Sequence, residues 1–235
     1  MIQITDHIAE TLERVRIARS DAGRAASSVL VLAVSKRQPA AAIQAAYRAG
    51  LRHFGENAVQ EAIVKLKELE RLDITWHFIG RIQSNKTRDI AENFQWVHAV
   101  DRLKVATRLN DQRPQFSPPL NVCIQVNQAG ETQKGGIEES EVAELARAVM
   151  SLPGLRLRGL MTLPPMTQDP EANARLFARL RKLKASLIDE GIPLDTLSMG
   201  MSADLEVAIS EGSTIVRVGT AIFGPRPGLE GERPD

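Results

Sequence analysis

Short apolar runs of strand length alternate with helical segments along this chain of 235 residues, and no other feature limits its possible folds as strongly. Parallel strands need a long crossover, usually a helix, before the chain can return in the same direction. Eight strand-helix units in about 200–250 residues are typical of a (β/α)8 barrel, the TIM barrel. The eight runs are Val29–Val34, His53–Gly55, Trp76–Ile79, Trp96–Val100, Asn121–Val126, Leu157–Met161, Thr196–Met199 and Thr214–Val218.

The segments between these runs have helical spacing of apolar residues or typical helix termini. Ile4, Ile8, Leu12 and Val15 add an amphipathic helix before the first strand. The predicted barrel helices are Pro39–Ala49, Ala58–Leu69, Lys86–Asn93, Asp101–Leu109 with Asp101 as N-cap, Glu138–Met150, Glu171–Glu190 and Ala203–Ser210. We therefore predict a single α/β domain over residues 1–224, followed by a Gly- and Pro-rich tail, 225–235, that we expect to be disordered. The alternative, an open doubly wound sheet, normally has fewer strands and a glycine-rich first turn that this chain lacks.

Composition excludes several classes of function. Thirty basic and 29 acidic residues give a net charge of +1, so no dominant field attracts nucleic acid or a membrane surface, and we expect neither as a partner. The N-terminal segment lacks the apolar core of a secretory signal, and no stretch has the roughly 18–20 apolar residues of a membrane span, which favours a cytoplasmic protein. The one cysteine, Cys123, is predicted to be a buried core residue, and no His or Cys spacing suggests a metal site.

Polar residues at the carboxyl ends of the strands are the candidate functional residues, because the sites of such barrels lie there. Lys36 follows the first strand, where desolvation would disfavour its charged form, as an imine-forming amine requires. Ser202, expected to open the helix after strand 7, and Gly219 and Thr220 after strand 8 occupy the common phosphate position of these barrels. The alternatives are a surface lysine, turn glycines and a helix cap.

Several longer motifs closely resemble the pyridoxal phosphate homeostasis protein family, from about Ile4 to Gly224. They are LAVSK, HFGEN, WHFIGRIQSNK, LRGLMTLPP, LSMGMSAD and GTAIFG. The resemblance implies a single-domain version of the alanine racemase-like barrel (PLP fold type III), without its C-terminal β domain. It also implies that pyridoxal 5′-phosphate (PLP) is held as a Schiff base on Lys36.

The resemblance further assigns the other residues of the cofactor site. Ser202, Gly219 and Thr220 would bind the phosphate, and Arg217 would contact the pyridine nitrogen. Asn57, Ser198 and Met201 match family positions that line the cofactor. Lys134 falls where the racemase pattern has an arginine near the phenolic oxygen of the cofactor.

Two features of the sequence argue against robust catalysis. An arginine can only donate a hydrogen bond to the pyridine nitrogen, so it leaves that nitrogen unprotonated and weakens the electron sink. Racemases of this class also use a second base, commonly a tyrosine of an extra domain, whereas the one tyrosine here, Tyr47, lies in a predicted barrel helix. No residue is therefore assigned a catalytic role.

We expect a monomeric PLP-binding protein that acts in intracellular vitamin B6 homeostasis and supplies PLP to PLP-dependent apo-enzymes. A low-turnover, racemase-like PLP enzyme is the alternative, with His77 as the candidate base. His77 and His98 could both point into the barrel, and a hydrogen-bonded core role is favoured for each. A barrel that binds a phosphorylated metabolite other than PLP is a third possibility.

Overall fold

The computed structural model of the chain describes residues 2–128, 130, 135–164 and 169–224. Its eight strands form one closed barrel in chain order, and every neighbouring pair is parallel. The last strand closes the barrel on the first, in register from Leu30 opposite Ile215 to Ala33 opposite Val218. The strands are β1 (Leu30–Val34), β2 (His53–Glu56), β3 (Thr75–Phe78), β4 (Trp96–Val100), β5 (Leu120–Val126), β6 (Leu155–Thr162), β7 (Thr196–Met201) and β8 (Ile215–Val218). The predicted barrel is confirmed.

The helices surround the barrel, and an additional helix precedes it, as the sequence predicts. They are α1 (Ile2–Asp21), α2 (Ala40–Arg48), α3 (Val59–Glu68), α4 (Thr87–Asn93), α5 (Leu103–Gln112), α6 (Val142–Met150), α7 (Pro170–Asp189), α8 (Leu205–Ser210) and α9 (Thr220–Phe223). Helix α1 packs against α2, α8 and α9. None of the helices in the described part of the chain is both long and apolar enough to cross a membrane.

The main hydrophobic core fills the layer between the sheet and the helices, where strand residues such as Phe54 and Val97 meet helix residues such as Ile43 and Phe177. The inside of the barrel has a different composition. His98 on β4 contacts Ser198 on β7 directly, and these strands are not neighbours in the sheet, so the contact crosses the barrel interior. Polar side chains therefore occupy part of the interior.

Three helices start two or more residues later than predicted. Helix α6 begins at Val142 and not at Glu138, because a 3-10 turn over Glu139–Glu141 precedes it. Helix α5 begins at Leu103 with Arg102, not Asp101, at the N-cap position and no side-chain cap, and the Asp101 carboxylate accepts a hydrogen bond from the Arg102 guanidinium at 2.5 Å. Helix α8 begins at Leu205, so Ser202 does not open it. The Asp204 carboxylate accepts a hydrogen bond from the Met201 backbone N–H at 2.6 Å, which closes a turn over residues 202–204 ahead of the helix.

Candidate functional site

A cavity of about 400 Å³ opens at the carboxyl end of the barrel, between the loops after β1, β2, β3, β7 and β8. Seven of the eight cofactor residues predicted from the sequence line it: Lys36, Asn57, Met201, Ser202, Arg217, Gly219 and Thr220. The eighth, Ser198, does not. The barrel topology therefore brings together residues that lie up to 184 positions apart in the chain.

A bulge in β7 explains why Met201 reaches the cavity and Ser198 does not. The pairing of β7 with β8 shifts between Ser198 and Met201. Gly200 lies in this shift with φ of 93°, and a Cβ there would come within 2.4 Å of the Ala208 Cβ. Only glycine tolerates both this backbone conformation and this contact. Ser198 consequently remains inside the barrel, beneath the cavity floor.

Lys36 lies in a turn whose backbone is held on both sides. Lys65 on α3 donates from Nζ to the Ser35 carbonyl oxygen at 2.8 Å. On the other side, the Arg37 N–H donates to the Glu61 carboxylate at 2.6 Å. Arg37 has φ of 61°, a left-handed conformation that is uncommon for a residue other than glycine. The surrounding contacts therefore impose the conformation of the turn that presents Lys36.

The contacts that hold this turn belong to one buried charged cluster, Ser35–Glu56–Glu61–Lys65. The Lys65 ammonium also lies 2.9 Å from Glu56 Oε1 and 2.6 Å from Glu61 Oε1, and the Ser35 hydroxyl donates to Glu56 Oε1 at 2.6 Å. Burial raises the pKa of Glu56, although its hydrogen bonds with Ser35 and Lys65 act in the opposite direction. The charge of Lys65 is thus compensated by two carboxylates beside the cavity.

Arg217 is a buried guanidinium with a different set of partners. It is 4% exposed and donates to the Ser198 carbonyl at 2.6 Å, the Ser198 hydroxyl at 2.9 Å and the Thr162 carbonyl at 2.8 Å. Among the residues that the structure describes, no carboxylate contacts it. Burial lowers the pKa of Arg217 to about 10, which leaves the group cationic at neutral pH. An arginine has five N–H donors, so two remain on a side chain that lines the cavity.

The predicted phosphate residues lie together on one side of the cavity. Ser202 is in the turn after β7, Gly219 follows β8, and Thr220 begins α9. Gly219 has φ of −110°, and a Cβ on it would make ordinary contact with the Val34 carbonyl oxygen at 3.5 Å. Neither packing nor backbone conformation requires glycine at this position, so the small residue leaves space on the cavity side.

The charged side chains that line the cavity are basic. Lys36, Arg81 and Arg217 are its charged lining residues, and among the described residues that line it there is no His, Tyr, Cys, Asp or Glu. Such a site suits an anionic ligand with hydrogen-bond acceptors.

His77 does not reach the cavity. It is fully buried and hydrogen-bonded to His53 and His98, each at 2.9 Å. Its burial, followed by the neighbouring His98 and His53, lowers the pKa of His77 well below its usual value. The favoured interpretation as a hydrogen-bonded core residue therefore describes both His77 and His98.

The other chemical candidates from the sequence also lie away from the cavity. Tyr47 stacks under the Arg52 guanidinium, 3.9 Å from the ring centre. Cys123 is buried, and burial raises the pKa of its thiol to about 12, which makes it unreactive. The described residues hold no cluster of three or more potential metal ligands. Lys134 and the tail 225–235 lie outside the described residues.

Two parts of the site are not assigned from the sequence. Arg81 lines the cavity, and its position after the third strand run is the one sequence feature that indicates this. Lys65 belongs to a predicted helix and has no assigned role, yet it lies with Val59 and Ala62 on the buried face of α3. A lysine on the apolar face of a helix is unusual unless it has a buried partner, and this spacing could have identified it.

Comparison with known proteins agrees with this geometry. The family model of the alanine racemase N-terminal domain matches residues 9–227. A pyridoxal phosphate homeostasis protein of Pseudomonas aeruginosa is 57% identical over 96% of this chain and 97% of its own length. The protein of the same name from Escherichia coli is 48% identical over 96% of this chain and 98% of its own.

Solved structures extend the comparison. PipY of Synechococcus elongatus, solved with PLP bound, aligns with a TM-score of 0.83 and 39% identity over 94% of this chain and 100% of its own. Alanine racemase of Corynebacterium glutamicum aligns with a TM-score of 0.67 at 17% identity, over 94% of this chain but 62% of its own. At that identity the likeness to the racemase concerns the fold alone.

Proposed function

Because this chain belongs to the pyridoxal phosphate homeostasis protein family, we propose that it binds PLP as a Schiff base on Lys36 and acts in vitamin B6 homeostasis without robust catalysis. The names of relatives at 48% and 57% identity support the homeostasis role. PipY, solved with PLP bound, supports the choice of cofactor. The assignments to individual residues are proposals from this structure.

The observation that carries the proposal is the pairing of Lys36 with Arg217 in one cavity. Burying a guanidinium without a carboxylate partner is unfavourable, and a protein normally avoids it. Here the acceptors of Arg217 among the described residues are all neutral oxygens, and two of its N–H donors remain. A ligand that offers a hydrogen-bond acceptor, such as a pyridine nitrogen, would complete this site, while the amine of Lys36 would bond with the aldehyde carbon.

The residues that follow β7 and β8 suit the phosphate. The hydroxyls of Ser202 and Thr220 are donors, and Gly219 leaves room for an oxyanion close to the backbone. Asn57, Met201 and Arg81 complete the lining. Bound PLP would supply an electron sink for amino-acid chemistry, and Arg217 would weaken that sink because it donates to the ring nitrogen without protonating it.

The described lining of the cavity favours a carrier over a racemase. Inverting a stereocentre requires a proton acceptor on each face, and the described lining residues supply no candidate other than Lys36. The open mouth of the barrel would allow PLP to enter and leave. We propose that the protein works as a monomer and transfers PLP to PLP-dependent apo-enzymes.

Absorbance and chemical trapping test the cofactor and its attachment together. Incubation with PLP should colour the protein yellow, and borohydride reduction should leave a stable adduct on Lys36 in peptide mass spectrometry. Lys36→Ala should abolish the adduct, whereas Lys104→Ala, on the exposed face of α5, should retain it. A colourless, unlabelled wild-type protein, or a persistent adduct in Lys36→Ala, would contradict the assignment.

Two further measurements separate carrier from enzyme. The holo-protein should activate a PLP-dependent apo-enzyme, and failure under conditions in which free PLP succeeds would contradict delivery. In deuterated water, single amino acids should not gain deuterium at Cα. Deuterium that appears with wild type and disappears with Lys36→Ala would instead establish racemase-like chemistry.

A further inference from the structure

A chain of four hydrogen bonds runs through the inside of the barrel from Arg217 to the opposite end. Arg217 donates to the Ser198 hydroxyl at 2.9 Å, and that oxygen lies 2.8 Å from His98 Nδ1. His98 Nε2 is 2.9 Å from His77 Nδ1, and His77 Nε2 is 2.9 Å from His53 Nδ1. His53 is the first residue of β2 and is partly exposed, whereas the side chains between it and Arg217 are fully buried.

Arg217, at one end of this hydrogen-bond chain, fixes the direction in which the protons point. Arginine has donors only, so the Ser198 oxygen must accept from Arg217. Among the described residues, the remaining partner of that hydroxyl is His98, so its own proton points to His98 Nδ1. His98 must then carry its proton on Nε2, and the same step repeats at His77 and at His53. The reverse direction would leave the buried Ser198 proton without an acceptor, which costs about 1–3 kcal/mol.

We propose that Ser198, His98, His77 and His53 are positioning residues that hold Arg217 for its ligand through a one-directional hydrogen-bond chain. All three imidazoles are neutral and protonated on Nε2. Each ring then presents a lone pair toward Arg217, so the hydrogen-bond chain stabilises a buried cation that no carboxylate of the described residues contacts. Hydrogen bonds in such a series also polarise and strengthen one another.

The residues around the hydrogen-bond chain are consistent with neutral histidine rings in fixed orientations. His77 stacks on Trp96 with ring centres 5.4 Å apart and an angle of 13° between the planes. Burial, together with the nearby Arg217 charge, lowers the pKa of His98 to about 3, so its ring stays neutral at physiological pH. Burial also lowers the pKa of His53.

Nitrogen NMR of the protein without PLP tests the direction of the chain independently of any cofactor. With 15N-labelled histidine at pH 7, the rings of His53, His77 and His98 should each show a protonated Nε2 and an unprotonated Nδ1. Single substitutions of the four histidines assign the signals, with His7 as the ring outside the chain. A ring protonated on Nδ1 or on both nitrogens would overturn the proposed direction.

PLP affinity tests the positioning role, which rests on the proposed function. His98→Leu removes the acceptor for Ser198 without touching the cavity, and we expect it to raise the Kd for PLP about fivefold to tenfold. His98→Asn places a carbonyl oxygen where Nδ1 lies and should keep the Kd within about twofold of wild type. His53→Leu, at the partly exposed end of the hydrogen-bond chain, should give a smaller increase in the Kd for PLP. It provides a second test if the buried His98→Leu variant does not fold.

The comparison of these variants separates positioning from packing. A Kd unchanged in His98→Leu, or an equal loss in the Leu and Asn variants, would overturn the positioning role. If wild-type protein fails to bind PLP, the proposed function is wrong, and the nitrogen NMR result still decides the direction of the chain.

Discussion

Two buried basic residues adjoin the cavity and differ in how their charge is compensated. Lys65, 6% exposed, contacts the carboxylates of Glu56 and Glu61 and holds the turn that presents Lys36. Arg217, 4% exposed, is hydrogen-bonded within the described part of the chain to neutral oxygens of Ser198 and Thr162, and Ser198 connects it to the three histidines. Both cations are buried, yet Lys65 is in contact with two carboxylates, whereas among the described residues Arg217 has none in contact and Asp204 acts on it only from a distance.

The difference indicates separate tasks. A buried ion pair adds little net stability, but it can hold a backbone in one conformation, and breaking it is costly. A buried cation that is held only by neutral acceptors retains most of its field and its free donors for a ligand. The protein thus builds a rigid support for the amine of Lys36 and a ready site for an acceptor at Arg217.

Acid should affect the two regions in opposite directions, and this is the largest effect that we expect. The pKa values of His53, His77 and His98 are lowered in the folded protein, so below pH 6.5 the unfolded chain binds more protons than the folded one. For His98 this difference extends down to about pH 3. Stability should therefore fall as the pH drops below 6.5, by up to about 1.4 kcal/mol per pH unit for each histidine. Glu56 has a raised pKa when folded, so its contribution falls as the pH rises above 4.5.

Urea denaturation at intervals between pH 4.5 and 7.5 measures the net slope. The three histidines outnumber Glu56 and Asp204, the carboxyls whose pKa values burial raises, so the free energy of unfolding should decrease toward acid. His98→Asn lacks one titrating ring and should show a shallower slope over the same range. A stability that stays constant from pH 6.5 to 4.5 would be incompatible with buried neutral histidines.

Removing Lys65 should be the most damaging single substitution in this comparison. Lys65→Met leaves the Glu56 carboxylate fully buried without its cation and frees the Ser35 carbonyl, so we expect a loss of about 3–5 kcal/mol. Lys67→Met on the exposed face of the same helix is the matched control and should stay within about 0.5 kcal/mol of wild type. Equal stabilities of the two variants would show that the buried cluster is not needed.

Arg217→Met should affect PLP affinity more than stability, unlike Lys65→Met. Among the described residues, no contacting carboxylate is left without its cation. Three buried acceptors lose a partner, at about 1–3 kcal/mol each, but the desolvation penalty of the buried guanidinium is also removed, so we expect a smaller loss of stability than in Lys65→Met. Its affinity for PLP should fall at least about tenfold, because a hydrogen bond from a charged donor is lost. Thermal unfolding without PLP and a fluorescence titration with PLP measure the two effects. A large loss of stability with unchanged PLP affinity would assign Arg217 to the scaffold.

The sequence predicts the barrel well and the support of its site poorly, for a physical reason. Strand and helix periodicity and the parallel topology depend on local patterns, and the strand ends then locate Lys36, Ser202, Gly219 and Thr220 together. Motif resemblance adds Arg217, Asn57, Ser198 and Met201. These assignments need no knowledge of how the strands are staggered.

The missed features depend on that stagger. The β7 bulge at Gly200 decides that Ser198 lies inside the barrel, and the contact of His98 with Ser198 joins strands that are not neighbours. Lys65 contacts Ser35, which lies 30 positions earlier in the chain. Helical periodicity shows which face of α3 is buried, but not which residue of another element Lys65 contacts. Long-range pairings of polar side chains therefore need the folded register.

Glu61→Gln is the mildest test of the comparison, because it removes a charge but keeps an acceptor. Glu61 is 33% exposed on its side chain, so its ion pair with Lys65 is screened by water, and we expect a loss below about 1 kcal/mol. The amide oxygen can still accept from the Arg37 N–H and from Lys65. Borohydride labelling of Lys36 should therefore proceed at nearly the wild-type rate. Slow labelling with normal stability would show that the charge of Glu61, and not the shape of the turn, prepares Lys36 to react.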